Sequence, residues 1–198
     1  MICALVLAAG RSRRMGVQKL LLPVGGQPLI ARVVDEVLRS PVAEVFVVIG
    51  HEGERVAEAL AGRRVRFVPN PDAEGEMLSS VRCGLRAVPE NCAAVLMVLG
   101  DQPGISANVI ATLAGAFRTA GRGIVVPTHG GRRGHPLLFA MQYRGEILSR
   151  YNEVGLRGLL QAHPEEVFEV AVAAPGVLED MDVPEDYHRT LGKPSALP

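Results

Sequence analysis

The chain has 198 residues, 48% of them apolar, with 21 acidic and 21 basic side chains. That length is enough for one sizeable core, and the composition is that of an ordinary globular protein, which excludes a disordered or fibrous chain. A formal net charge of zero argues against a nucleic-acid binder held by a broad basic face, and no stretch approaches the roughly 20 apolar residues of a membrane helix.

Cys3-Ala-Leu-Val-Leu7 opens the chain as a strand-like apolar run. No basic residue precedes it and it is too short for a signal peptide, so the expected location is cytoplasmic. Strand-like runs recur at Val45–Ile49, Val65–Val68, Ala94–Leu99 and Ile124–Val126. Between them, Pro28 to Leu38, Glu52 to Leu60, Met77 to Val88 and Ser106 to Phe117 carry apolar residues at three- and four-residue spacing, which predicts helices. This alternation predicts one α/β domain over residues 1–191, a three-layer Rossmann-like fold with a mostly parallel sheet and helices on both faces. Gly10, Gly50, Asn70 and Gly100 each follow a strand run and should line the sheet edge where ligands bind.

After Pro127 the rhythm breaks. Thr128 to Pro136 is rich in Gly and Arg and reads as an irregular cover over a second substrate. Leu137-Leu-Phe139 is a further strand, followed by helical pieces near Arg144 to Tyr151 and Leu156 to His163. A strand over Val167 to Val172 and a helix from Pro184 follow, and residues 192–198 read as a tail. The cysteines, Cys3, Cys83 and Cys92, show no zinc spacing and no disulfide framework, and read as core or near-surface thiols in a reducing compartment.

The turn after the first strand concentrates the chemistry. Leu7-Ala-Ala-Gly10 is followed by Arg11, Ser12, Arg13, Arg14, Gly16 and Lys19, and Lys19 is one of only two lysines in the chain. Small residues leave room for a base against the backbone, and amides plus cations suit a triphosphate. The spacing matches neither a P-loop, GxxxxGK[ST], nor the dinucleotide fingerprint GxGxxG. The competing reading is a basic surface turn. Gly100-Asp-Gln-Pro103 shifts the balance, because a carboxylate ending the most apolar run is costly unless a cation compensates it. A divalent ion bridging phosphates would do so. Ser106 is the better helix cap, which leaves Asp101 available. Asp180 and Asp182 alternate on an extended segment and should face one side, whereas Glu185 and Asp186 read as first-turn acids of the last helix. His51 reads as surface, and Arg63, Arg64 and Arg66 as a solvated edge.

The run from Leu7 to Pro23 closely resembles the LAAGxSxRMGxxKLLLP signature of the MobA-like nucleotidyltransferases. Gly100-Asp-Gln-Pro103, Arg133-Gly-His-Pro136 and Asp180-x-Asp-x-Pro-Glu-Asp186 follow in the family's order. LAAG in place of LAGG, together with the RGHP run, resembles the branch that serves molybdenum-cofactor cytidylyl transfer. The resemblance implies the nucleotide-diphospho-sugar transferase type of fold. It also implies transfer of CMP from CTP to Mo-molybdopterin, with release of pyrophosphate and Mg2+ (or Mn2+) on the triphosphate.

Carried over residue by residue, Arg14 and Lys19 would grip the triphosphate. Asp101 would hold the metal, with Asp182 as its partner and Asp180 in reserve. Leu7, Ala8, Ala9, Gly10, Arg11, Ser12 and Gly16 would surround the nucleotide. Ser79 and Ser80, in the stretch from Gly75 to Gly84, would lie near base and ribose, although helix capping explains a serine pair equally well. Arg133, Gly134 and His135 would form the acceptor side, His135 either touching acceptor or holding the Gly134 turn. Two other readings share these residues: transfer to a sugar or alcohol phosphate, and a chaperone that shelters the cofactor and contacts a molybdoenzyme.

Overall fold

The computed structural model describes residues 1–72 and 76–192. In chain order the elements are strand β1 (Ile2–Ala8), a hairpin of β2 (Pro23–Val24) and β3 (Gln27–Pro28), α1 (Leu29–Leu38), β4 (Glu44–Ile49), α2 (Gly53–Ala59), β5 (Arg66–Pro69), α3 (Met77–Ala87), β6 (Ala94–Leu99) and α4 (Ala107–Thr119). Then come β7 (Ile124–His129), β8 (Arg132–Arg133), β9 (Leu137–Ala140), α5 (Arg144–Ser149), α6 (Arg157–Ala162), β10 (Val167–Ala171) and α7 (Pro184–Gly192). Most expected elements therefore form within a residue or two of their expected bounds; the β2–β3 hairpin was not foreseen. Residues 193–198, most of the expected tail, and Gly75 lie outside the described residues. None of the described helices is long and apolar enough to cross a membrane.

The strands form an eight-stranded sheet in the order β10-β7-β9-β6-β1-β4-β5, with β8 paired to β7. Neighbours β6, β1, β4 and β5 run parallel, as do β7 and β10. β9 is antiparallel to both β6 and β7, and β8 is antiparallel to β7. The period-2 alternation of a strand explains the layers. In β1, Ala4, Val6 and Ala8 pack toward α1, α2 and α4, while Cys3 and Leu5 face α3, α5 and α6. Both faces of the central strands β1 and β6 are covered, so these two are apolar throughout, as buried parallel strands require. The sheet is the centre of one α/β domain.

Part of the stretch from Thr128 to Pro136 is regular: Thr128 and His129 complete β7 and pair with Arg133 and Arg132 of β8. One expectation is corrected here. Arg63 is not a solvated charge: its Nε and Nη2 donate to the Asp35 carboxylate at 2.7 and 3.0 Å, tying the segment after α2 to α1.

Candidate active site

β1, β4 and β6 end on the same edge of the sheet, so the loops after them meet. The chain leaves Ala8, loops through 9–18 and enters a short helical turn at Lys19–Leu21. Ser12 takes φ +51° and Gly16 φ +69°, which folds the loop back on itself. The Ser12 hydroxyl secures that fold, donating to Gln18 Oε1 at 2.9 Å and accepting from the Lys19 amide at 3.0 Å. Gln18 in turn donates to the carbonyls of Gly10 (3.4 Å) and His51 (3.5 Å). The result drives Lys19 inward, where it is 9% exposed.

Lys19 Nζ donates to Asp101 Oδ2 at 2.5 Å and to Asp182 Oδ1 at 2.9 Å. Arg14 Nη2 donates to Asp182 Oδ2 at 2.7 Å. Burial alone would pull the lysine toward its neutral form, yet the two carboxylates outweigh it and hold its pKa above the ordinary lysine value. Burial likewise opposes ionisation of Asp182, and Lys19 and Arg14 prevail, keeping it below the usual carboxylate range. Asp180 goes the other way. Burial dominates and raises its pKa, with Gln102 Nε2 donating to it at 3.4 Å. The two aspartates therefore face different partners, although both border a smaller hollow beside Asp186 and Arg189.

These groups surround a cavity of about 420 Å3 lined by Leu7, Ala9, Gly10, Arg11, Ser12 and Arg14, together with Lys19, Asp101, Asp182 and Glu76. Ala8 is buried behind that wall, and Gly16 shapes the loop without lining the cavity. Ser79 and Ser80 are not part of the wall. Asn70 Nδ2 donates to both hydroxyls, at 3.3 and 3.1 Å, so they neither cap the helix nor face this cavity.

Because β9 runs antiparallel, the residues preceding it, 133–136, arrive at the same edge. Gly134 is required there: a Cβ would lie 2.2 Å from the Val177 carbonyl oxygen. Its amide donates to the Pro127 carbonyl at 2.9 Å, and the His135 amide to the Val177 carbonyl at 2.8 Å. Both residues line a second cavity, of about 800 Å3, which shares Glu76 with the first. Met77, Leu78, Met97, Val126, Leu156 and Leu160 make its walls largely apolar. Burial holds the His135 pKa below the ordinary imidazole value; the Arg157 charge adds to that, while Asp180 and Asp101 oppose it. Arg133 borders the cavity, but its Nε donates outward to Glu169 at 2.7 Å. Arg157 and Glu76 also line the cavity; Arg157 belongs to no motif, and Glu76 lies within the serine-containing stretch, where it interrupts the glycine–methionine succession of many relatives.

The carboxylates of Asp101 and Asp182 converge on one cationic point, the Lys19 ammonium, and hard oxygen donors of this kind fit a divalent ion. Among the described residues no group of three or more His, Cys, Asp or Glu side chains could hold a metal. The protein thus offers two carboxylates, and phosphate oxygens of a substrate would have to complete the shell.

The chain is 25% identical over 188 residues to the molybdenum cofactor cytidylyltransferase of Escherichia coli K12, covering 94% of this chain and 93% of that protein. Bifunctional protein GlmU of Kineococcus radiotolerans is 35% identical over 129 residues, 63% of this chain but 26% of GlmU. The crystal structure of Rv0371c from Mycobacterium tuberculosis H37Rv superposes with a TM-score of 0.87 at 27% identity, covering 97% of each chain. Its complex with manganese gives 0.82 at 25% identity, over 98% of this chain and 99% of that one. Residues 4–167 match the MobA-like NTP transferase domain, a span that carries both cavities' strands, and the chain belongs to that family of nucleotidyltransferases.

Proposed function

We propose that the protein transfers CMP from CTP to Mo-molybdopterin. The observation that carries this reading is the convergence of Lys19, Asp101 and Asp182 within one cavity, with the apolar acceptor cavity adjoining it. The Leu7–Gly10 backbone receives the nucleotide, and Arg14 and Lys19 neutralise the triphosphate. Asp101 and Asp182 would hold Mg2+ or Mn2+, whose chemistry when bound is to polarise the phosphates and offset developing charge. A phosphate oxygen of the acceptor forms a bond to the α-phosphorus of CTP as the bond to the β-bridging oxygen breaks. Pyrophosphate leaves with the electron pair. Such chemistry asks the protein for alignment and charge neutralisation rather than for a nucleophile of its own.

The Ala8-Ala9-Gly10 turn and the Arg133-Gly-His-Pro136 run support CTP, and the near-complete span of the match to the cytidylyltransferase supports the pterin acceptor. The GlmU similarity favours a second reading, transfer to a sugar phosphate, but it spans about a quarter of that protein. The test is pyrophosphate release with CTP, GTP and UTP, each offered Mo-molybdopterin or a hexose 1-phosphate in magnesium. Release only with CTP and the pterin is expected; release only with GTP or the sugar phosphate overturns the reading.

A further inference from the structure

The acceptor cavity contains a cation that no part of the reaction described above uses. Among the described residues Arg157 makes no side-chain hydrogen bond or ion pair, although it lines the cavity at the start of α6. Arg133, the other arginine on this wall, is engaged with Glu169. His135 lines the same cavity, and its buried Nδ1 has no hydrogen-bond partner among the described residues. His135 is within electrostatic reach of Arg157 and of Asp101, which lines the first cavity.

The segment carrying Arg157 is held in a conformation that costs free energy. Tyr151 takes φ +75°, a left-handed backbone that a bulky side chain adopts only when its surroundings impose it. The surroundings do so. The Tyr151 hydroxyl donates to Glu146, which is also met by His163 Nε2 at 2.9 Å. Arg82 donates to the carbonyls of Ile147 and Arg150 at 2.9 and 2.5 Å, fixing the chain just before Tyr151. The Tyr151 ring then packs onto Gly158, where a Cβ would lie 2.2 Å from its Cδ1. Arg157 stands immediately beside that contact. A strained, cross-braced loop presenting an unengaged guanidinium to a cavity is a built mount rather than a surface turn.

We propose that Arg157, with His135, anchors the phosphate of the acceptor, and that the brace of Tyr151, Glu146, His163 and Arg82 positions it. This rests on the function proposed above only in requiring a phosphate-bearing acceptor; it does not depend on which one. A planar, doubly donating guanidinium suits a phosphate monoester. His135 lines the same cavity and adds its ring to the polar groups there.

The experiment loads the full-length protein with magnesium and a non-hydrolysable CTP analogue. Calorimetry then measures binding of Mo-molybdopterin and, separately, of a hexose 1-phosphate. Arg157→Gln should weaken acceptor binding about tenfold to a hundredfold, the usual worth of a hydrogen bond to a charged group. Nucleotide affinity should stay within about twofold, and Arg157→Lys, which keeps the charge, should recover much of the loss. In turnover the same variant should raise the acceptor KM while kcat holds. Equal acceptor binding by wild type and Arg157→Gln overturns the proposal, as does a parallel loss of nucleotide affinity or a wild type that binds neither probe. If the sugar phosphate binds instead of the pterin and still depends on Arg157, the acceptor identity falls and the anchor stands.

Discussion

A lysine with its ammonium between two carboxylates has a fixed chemical use, and Asp101 is the strongest of its partners. Replacing Asp101 with Asn keeps the shape and removes the anion. Pyrophosphate release should fall by about a hundredfold or more, the usual scale for losing a preorganised electrostatic group. Asp180→Asn, which alters a carboxyl turned to Gln102, should lose far less; comparable losses at both positions would contradict the division of roles drawn here. A protein that only sheltered a cofactor would tolerate the Asp101 change. Asp101 was legible in the sequence because it closely follows an apolar strand, where a charge needs a reason, and Lys19 because it belongs to the basic, glycine-containing run after another. Ser79 and Ser80 were placed near base and ribose through the resemblance, and only coordinates reveal that Asn70 donates to both. Arg157 carried no signal at all, being one arginine among many in a helical segment.

At the level of elements, β1 is the part on which most else depends. It pairs with β4 on one side and β6 on the other and contributes residues to both cores. Leu5 is fully buried in the core beneath α3, packed with Phe46, Val81 and Leu85. Leu5→Ala should cost about 2–5 kcal/mol, read as a lowered urea midpoint with an unchanged slope. A smaller cost would mean that this layer collapses around the void. The helices and parallel strands were readable from periodicity, since 3.6- and 2-residue repeats are local properties. The direction of β9 was not. A run such as Leu137-Leu-Phe139 is equally apolar whichever way it enters a sheet, and its pairing with β6 and β7 is decided by partners that are distant in the chain.

Across the whole molecule, the two halves of the chain meet at the first cavity: Lys19 comes from the first loop, Asp101 from the middle and Asp182 from just before the last helix. A ligand that engages all three should therefore stabilise the entire domain. CTP with magnesium at a hundredfold excess over Kd should add about 2.7 kcal/mol, which raises Tm by roughly 5–11 °C for a chain of this size. Either component alone, or the pair after addition of EDTA, should give a much smaller rise; full stabilisation by CTP in EDTA would remove the metal from the proposed site. The amino-acid order by itself determined the layered α/β class, the basic turn after the first strand and the carboxylate that faces it, because these follow from burial and charge within short segments. Tertiary structure alone decided that Asp182 rather than Asp180 meets Lys19, that an antiparallel strand brings His135 to the same edge, and that a braced loop sets Arg157 beside it. Those choices depend on contacts between residues far apart in sequence, which no local pattern encodes.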